Sequence, residues 1–406
     1  MKQQRVRAVR VAGLFVVGSV VLGGASSIAT AQWTVTNLHP TGMLLSAGHG
    51  VGGGQQVGYA QVGPTVGHSR AGLWSGTAGS WVNLHPTGVG YSYANGTDGA
   101  QQVGEYFPAG FPRAALWSGT AASWVDLHPA GTNTSSAFGV SGGQQVGATY
   151  TGFPSAALWS GSAASWVNLN PPPTGEYVHT SEAFGIGGGQ QVGYVVDVDG
   201  VSGASLWTGS AASWVKLHPA VADTSRALGT DGKQQVGFAR TDATTIFRAS
   251  LWRGTAASWV SLNPAGIPSA QASAVHGGQQ VGFVSTSGAT HASLWSGTAA
   301  SWVDLHTFLP ASFFNSEATG ISHSGGFTYV VGFGFNGATN RVEAVLWKGP
   351  APCPADFDLN GFVNGDDADG FYAAFDLGDS AADFDGNGFV NGDDADGFGW
   401  AFDAGC

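Results

Sequence analysis

The chain has 406 residues, 43% hydrophobic and 10% charged, with 66 glycines, 17 prolines and 15 tryptophans. So many tryptophans in so weakly charged a chain argue against disorder, and the length exceeds one ordinary compact domain. Fourteen basic against 26 acidic residues argue against a nucleic-acid partner, and two cysteines exclude a disulfide-dense scaffold.

Residues 1–31 have the layout of a secretory signal peptide. Lys2, Arg5, Arg7 and Arg10 make a positive start, an apolar run follows over 11–22, and small residues end in Ala29-Thr30-Ala31. The alternative is an uncleaved membrane anchor, for which the apolar run is short. No cysteine near the cut and no twin-arginine pair point to general secretion. No later segment is long and apolar enough to span a bilayer, so the chain is expected to be secreted or extracellular and associated with the cell surface. Cleavage removes four basic residues and takes the net charge from −12 to −16.

Residues 32–350 contain a repeat of 42 to 52 residues, counted seven times. A Leu-Trp pair ends at Trp74, Trp117, Trp159, Trp207, Trp252, Trp295 and Trp347. A Val-Gly pair precedes each, and in the first six repeats Gln-Gln stands before it, as in Gln144-Gln145-Val146-Gly147. A Trp-Val-x-Leu segment follows at Trp81, Trp124, Trp166, Trp214, Trp259 and Trp302. Each repeat reads as four short strands, a to d, separated by glycine-rich turns. In the third repeat these fall near 137–140, 144–148, 156–159 and 166–169. Units of this kind predict an all-β, seven-bladed β-propeller of four-stranded blades, with tryptophans filling the layers between blades. The mature chain opens on a d-type segment, Trp33-Thr34-Val35-Thr36-Asn37-Leu38, whereas the seventh repeat has no d segment. The N-terminal strand is therefore expected to complete the last blade and remove two exposed sheet edges.

The repeats resemble the bacterial extracellular HAF-type repeat family, through Ala137-Phe138-Gly139-Val140, Gln145-Val146-Gly147, Ala157-Leu158-Trp159 and their equivalents over about 33–349. This resemblance implies an extracellular repeat protein and no particular activity. Strand alternation puts the a–b and c–d turns at one end of the ring and the b–c and d–a loops at the other, where the lengths vary. Loops held by a rigid scaffold commonly bind ligands, so Tyr106, Phe111, Tyr150 and Tyr177 are candidates for stacking on a glycan or protein. The alternative is that such rings cover the core. His39, His85, His128, His218 and His306 occupy one repeat position beside the d strand. Spread around a ring, they cannot converge on one metal ion, and a turn-forming role is expected.

From 351 to 406 the chain has 13 aspartates, no glutamate and no basic residue. A twelve-residue calcium loop begins at Asp356, with oxygen ligands expected from Asp358, Asn360, Asn364 and Asp367, the Phe362 carbonyl, and Gly361 at the sharp turn. It recurs 27 residues later as Asp383, Asp385, Asn387, the Phe389 carbonyl, Asn391 and Asp394. After each loop an apolar pair, Phe371 and Phe375, then Phe398 and Phe402, marks a short amphipathic helix. This duplicated unit of paired EF-hand-like loops resembles the dockerin module, in particular its Gly-Cys-terminated type, over about 353–406. The resemblance implies two bound Ca2+ ions and attachment to a cohesin-like or other surface or scaffold protein. At loop positions 10 and 11 this chain carries Gly365-Asp366 and Gly392-Asp393 in place of Ser/Thr-type residues, a departure from the cohesin-recognition pattern. Cys353 and Cys406 bracket the module and in a secreted protein should pair.

The leading functional expectation is a secreted non-catalytic propeller for binding or scaffolding. One alternative is a dockerin-borne polysaccharide-degrading enzyme, for which Glu105, Glu176 and Glu182 are the best carboxylate candidates. The other is a purely structural surface protein.

Overall fold

The computed structural model describes residues 33–404 apart from 64–67, 109, 173–176, 242–245, 287, 358–362 and 385–388, with backbone alone at 177–179 and 380. Residues 1–32, where a signal peptide is expected, and Cys406 lie outside the described residues. Seven four-stranded antiparallel sheets form the propeller, six of them in chain order a-b-c-d. In blade three the strands are Thr134–Ser141, Gln144–Tyr150, Pro154–Trp159 and Val167–Asn168. The d strand is shorter than its sequence pattern, because a 3-10 turn over Ala163–Ser165 ends on Trp166 before it begins. Outer edges only two residues long offer little to a pairing strand.

In the seventh sheet the order is Thr34–Asn37, Arg341–Pro350, Phe327–Asn336, Phe313–Ser324. Thr36 pairs with Leu346 and Asn37 with Val345, so the first strand of the ring supplies the outer strand of the last blade. Buried Glu343 latches this closure. One carboxylate oxygen accepts from Asn37 Nδ2 at 2.7 Å and Asn336 Nδ2 at 2.9 Å. The other accepts from Thr339 Oγ1 at 2.6 Å and Arg341 Nε at 2.9 Å. Burial opposes the charge, but these bonds hold the carboxyl below its ordinary pKa.

Two glycine positions set the inner geometry. Every a–b pair carries a β-bulge at the same place, for example between Ala137 and Gly139. Opposite it lies the Val-Gly glycine, where a Cβ would strike a carbonyl oxygen of strand a: that of Ser136 at Gly147, and of Tyr93 at Gly104. The residue after the bulge lines the axis and is glycine in six blades. There a Cβ would crowd the backbone of the next blade, as at Gly96, 2.8 Å from the Phe138 oxygen.

Further out, side chains grow. The Leu-Trp tryptophans are fully buried. Each is driven into the preceding blade: Trp117 packs on Val57, Leu73 and Leu84, and Trp74 on Val331, Leu346 and Leu38. The second tryptophan of a blade, such as Trp124, covers the same cluster partly exposed.

Polar bonds join blades at both ends. At the hairpin end the second glutamine of the Gln-Gln pair accepts from a c–d turn amide, as Gln102 does from Gly119 at 2.7 Å. In four blades it also donates to the first glutamine of the preceding blade, as Gln102 to Gln55 at 3.0 Å and Gln280 to Gln234 at 2.7 Å. At the loop end the histidines named above bond a serine of the next blade: His85 Nδ1 lies 2.8 Å from Ser92 Oγ, which accepts from the Ala71 amide at 3.0 Å. Where asparagine stands instead, Asn170 accepts from Ser181 at 2.8 Å. Where the serine is replaced by Ala270, Asn263 takes the Ala249 amide directly at 2.8 Å.

Replacing Glu343 by alanine strands four donors around a buried site. The expected loss of unfolding free energy is on the order of 3–5 kcal/mol, read by urea denaturation at pH 7. Because the folded carboxyl lies below its ordinary value, the latch contributes fully above the ordinary pKa. Its contribution is lost as the pH falls through the lowered one, so the gap between parent and variant should narrow in acid.

Candidate functional site

The loop end differs chemically from the rest of the ring. Of the large apolar side chains exposed on the described propeller, Leu44, Val62, Phe111, Phe153, Val198, Val221, Phe247 and Phe314 all lie on b–c or d–a loops or the strand ends beside them. The hairpin end exposes Phe327, and the remainder are single valines on the d edges, such as Val82 and Val167.

Inside this apolar rim runs a row of rings and carboxylates across the first five blades. Tyr91 stacks on Phe107 with centroids 4.0 Å apart, and Tyr93 meets Tyr59 edge-on at 4.9 Å. His49 follows, 5.4 Å from Tyr59. Glu105, paired across the strands with Tyr93, accepts from Asn95 Nδ2 at 3.5 Å. Burial pushes its carboxyl up, bonds from Asn95 and Ser136 pull it down, and nearby Glu182 pushes it up again, for a net rise. Glu182 accepts the Tyr150 hydroxyl at 2.7 Å. Arg226 lies over the Tyr194 ring at 4.1 Å, and burial of that phenol, reinforced by Glu182, pushes it up to about 12. On the axis a cavity of about 170 Å³ is lined by His49, Asn95, Leu228, Ser273 and Thr319 with the axial glycines.

The predicted ligand-face residues separate. Phe111 is 66% exposed and its neighbour in the next loop, Phe153, 68% exposed. Tyr150 is half-buried and tied to Glu182. Tyr106 is 3% exposed, edge-on to Trp124 at 4.9 Å, and belongs to the core between blades one and two. It cannot stack on a ligand. The Tyr177 side chain and Glu176 lie outside what is described. Sequence reasoning passed over Tyr93, Asn95, Tyr194 and Arg226. A column-by-column comparison of the repeats would have flagged Tyr93 and Arg226, which share with Glu182, Gln271 and Glu317 a position that is Ala47 and Ser136 elsewhere.

The C-terminal module has its own core. Helices α1 (Gly365–Asp376) and α2 (Gly392–Ala404) bring Phe371 and Phe398 face to face, centroids 4.0 Å apart and planes within 3°. Phe357 and Phe384 stand edge-on to that stack. Each helix opens on the same cap. Asn364 accepts from the Asp366 amide at 2.8 Å while Asp367 accepts from the Asn364 amide at 2.9 Å. Asn391 and Asp394 repeat this with bonds of 2.9 and 2.8 Å. Asp356, Asp367 and Asp394 are buried. Phe389, expected to act through its carbonyl, exposes 74% of its surface. Five of the twelve predicted ligands, Asp358, Asn360, Phe362, Asp385 and Asn387, lie outside the described residues. Among those that are described, no three metal-binding side chains gather. Cys353 is half-buried at the edge of this core, and its expected partner Cys406 lies outside the described residues.

No protein family and no curated protein matches the sequence. Among solved structures the ring is similar to the β-propeller domain of the Trilobed protease from Pyrococcus furiosus, which has an open velcro topology. The identity is 8% and the TM-score 0.50, over 75% of this chain and 95% of that one. It is also similar to puromycin hydrolase (14% identity, TM-score 0.51, 73% of this chain and 53% of that one). A third is acylaminoacyl peptidase from Pyrococcus horikoshii (10%, 0.50, 78% and 52%). At these identities the likeness shows the propeller fold alone, and the chain spans about half the length of the two peptidase and hydrolase chains.

The division between core and rim is testable by urea denaturation. Tyr106→Ala should cost on the order of 3–5 kcal/mol of unfolding free energy. Phe111→Ala and Phe153→Ala should each stay within about 0.5 kcal/mol of the parent.

Proposed function

We propose that the chain is a secreted, non-catalytic propeller that binds a glycan or protein on its loop end and is attached to a surface or scaffold component through a calcium-loaded, dockerin-like module. The segregation of exposed apolar side chains carries the first half of this reading. Soluble proteins disperse such residues, and a collection of them at one end, around a polar and aromatic interior, is what a partner surface needs. Phe111 and Phe153 stand highest on that rim. The Glu105–Glu182 region suits hydrogen bonding to a polar ligand, and each carboxylate is already engaged, by Asn95 and by Tyr150. The hairpin end, where Phe327 is the large apolar side chain exposed among the described residues, offers no comparable surface.

The donor set of the module fits calcium. Asp356, Asp367 and Asp394 are buried in a segment rich in aspartate, and Asp367 and Asp394 accept the helix-cap amides of Asn364 and Asn391. Oxygen-rich loops at EF-hand spacing favour Ca2+ over the stricter octahedral Mg2+. Asp356, Asp358, Asn360, Asn364 and Asp367 would hold one ion with the Phe362 carbonyl. Asp383, Asp385, Asn387, Asn391 and Asp394 would hold the other with that of Phe389. A Cys353–Cys406 bond would tie the ends of the module together. Its Tyr372, Leu377 and Trp400 expose apolar surface suited to a cohesin-like partner.

Calorimetric titration of the chelated full-length chain should give two calcium ions, with Asp356→Ala and Asp383→Ala each removing one. A stoichiometry below two, or an equal response to magnesium, overturns the paired-site reading. On a glycan array and against surface extracts, a Phe111→Ala/Phe153→Ala double variant should lose at least tenfold in binding at an unchanged melting temperature. Retained binding by that variant refutes the loop-end assignment.

A further inference from the structure

Five of the seven loop-end joints between blades are built on an imidazole whose Nδ1 meets a buried serine. His39, His85, His128, His218 and His306 place Nδ1 2.8–2.9 Å from Ser46, Ser92, Ser135, Ser225 and Ser316. Each serine Oγ also accepts a backbone N–H from the blade that carries the histidine: Ala344, Ala71, Ala114, Ala204 and Ala292, at 2.9–3.0 Å. In the asparagine joint Ser181 likewise accepts the Ala156 amide and donates its proton to Asn170 Oδ1, and in the histidine joints the same proton faces Nδ1. At His39 the tautomer is fixed from the other side, where Nε2 donates to the Met43 carbonyl at 3.1 Å. All five serines are fully buried, so a proton on Nδ1 would leave a buried hydroxyl without its acceptor.

We propose that these His–Ser–amide joints make the propeller an acid-operated ring, rigid at neutral pH and loosened at the d–a joints on mild acidification. The surroundings of each imidazole support this. Burial is the first cause holding all five below the ordinary histidine value, and a neighbouring base is the second in every case: Arg341, Arg70, Arg113, Lys216 and His291 respectively. His85 is lowered to about 4. Opposing acids face four of them: Glu343 at His39, Asp126 at His128, Asp197 and Asp223 at His218, and Asp304 at His306. None outweighs burial. A base whose folded pKa is depressed stabilises fully above its unfolded value, about 6.5 for histidine, and loses that contribution as the pH falls from there to the folded value. Elsewhere in the ring His49 and His323 act in the same direction, while the raised carboxyls of Glu105 and Glu317 act against it. The protein carries its own control. Asn170 and Asn263 make the two remaining joints with an amide that does not titrate. The inference is independent of any ligand at the loop end.

The test uses the calcium-saturated full chain. Between about pH 6.5 and 5, each joint should lower the folding equilibrium constant by up to about tenfold per pH unit. Tryptophan fluorescence during unfolding reads the sum. Replacing all five histidines by asparagine should keep the neutral-pH melting temperature within a few degrees and remove most of that pH dependence. If that variant does not fold, His85→Asn and His128→Asn decide singly. His85→Asn should take up about one proton fewer than the parent on unfolding at pH 5.5, and His128→Asn a measurable fraction of one, by calorimetry in buffers of different ionisation enthalpy. On acidification, hydrogen-exchange protection of the Ala71 and Ala114 amides should fall relative to Ala156 and Ala249, whose joints carry asparagine. Unchanged proton uptake in the variants, or equal loss of protection at all four amides, overturns the proposal.

Discussion

The ring depends on a steric constraint at its axis. Seven inner strands approach so closely that a Cβ on Gly96 or Gly229 would crowd the neighbouring backbone, and each strand is bulged beside that point. The bulge turns a carbonyl onto the facing strand, where only the glycine of the Val-Gly pair leaves room. Everything outward follows from this narrow centre. Alanine, valine and leucine occupy the middle of each layer and tryptophan its broad outer part, driven into the preceding blade. Each blade is therefore a wedge, and wedges of this taper complete a circle in seven steps.

Polar groups then fix what packing leaves free. Hydrophobic layers are tolerant of small sliding, whereas the glutamine ladder at one end and the histidine–serine joints at the other have defined geometry. The repeat replaces these parts in a coordinated way. Where blade six offers Ala270 instead of serine, Asn263 bonds the same amide the serine would have reached. Trp259 and Trp302 donate to Ser250 and Ser293, while Gly72 stands at the corresponding place beneath Trp81.

Periodicity made the propeller legible: blade number, strand order and the role of the Leu-Trp tryptophans are all carried by residues that recur. Tyr106 was misread because its neighbours in the loop drew attention away from its column. Ala60, Thr149, Val195, Ala239 and Val284 hold the equivalent positions and are all buried, so the pleat turns Tyr106 inward too. The exposure of Phe111 was legible because it lies beyond the strand. The row from Tyr93 to Arg226 was not, since its members are far apart in sequence and only the curvature of the ring brings them together. The same limit holds for the joints. A histidine recurring beside proline reads as turn chemistry until the next blade supplies its serine.

Closure by the first strand also imposes an order of assembly. Asn37 must meet Glu343, 306 residues away, so a chain emerging amino end first holds its outermost strand unpaired until nearly the whole ring has formed. Local hairpins and adjoining blades can fold as they appear. The final seam waits on the longest loop in the molecule and gains nothing from nearby sequence. During that interval the last sheet keeps an open edge, the Trp74 layer lacks its partner residues, and the nascent protein is at its most vulnerable to intermolecular strand exchange.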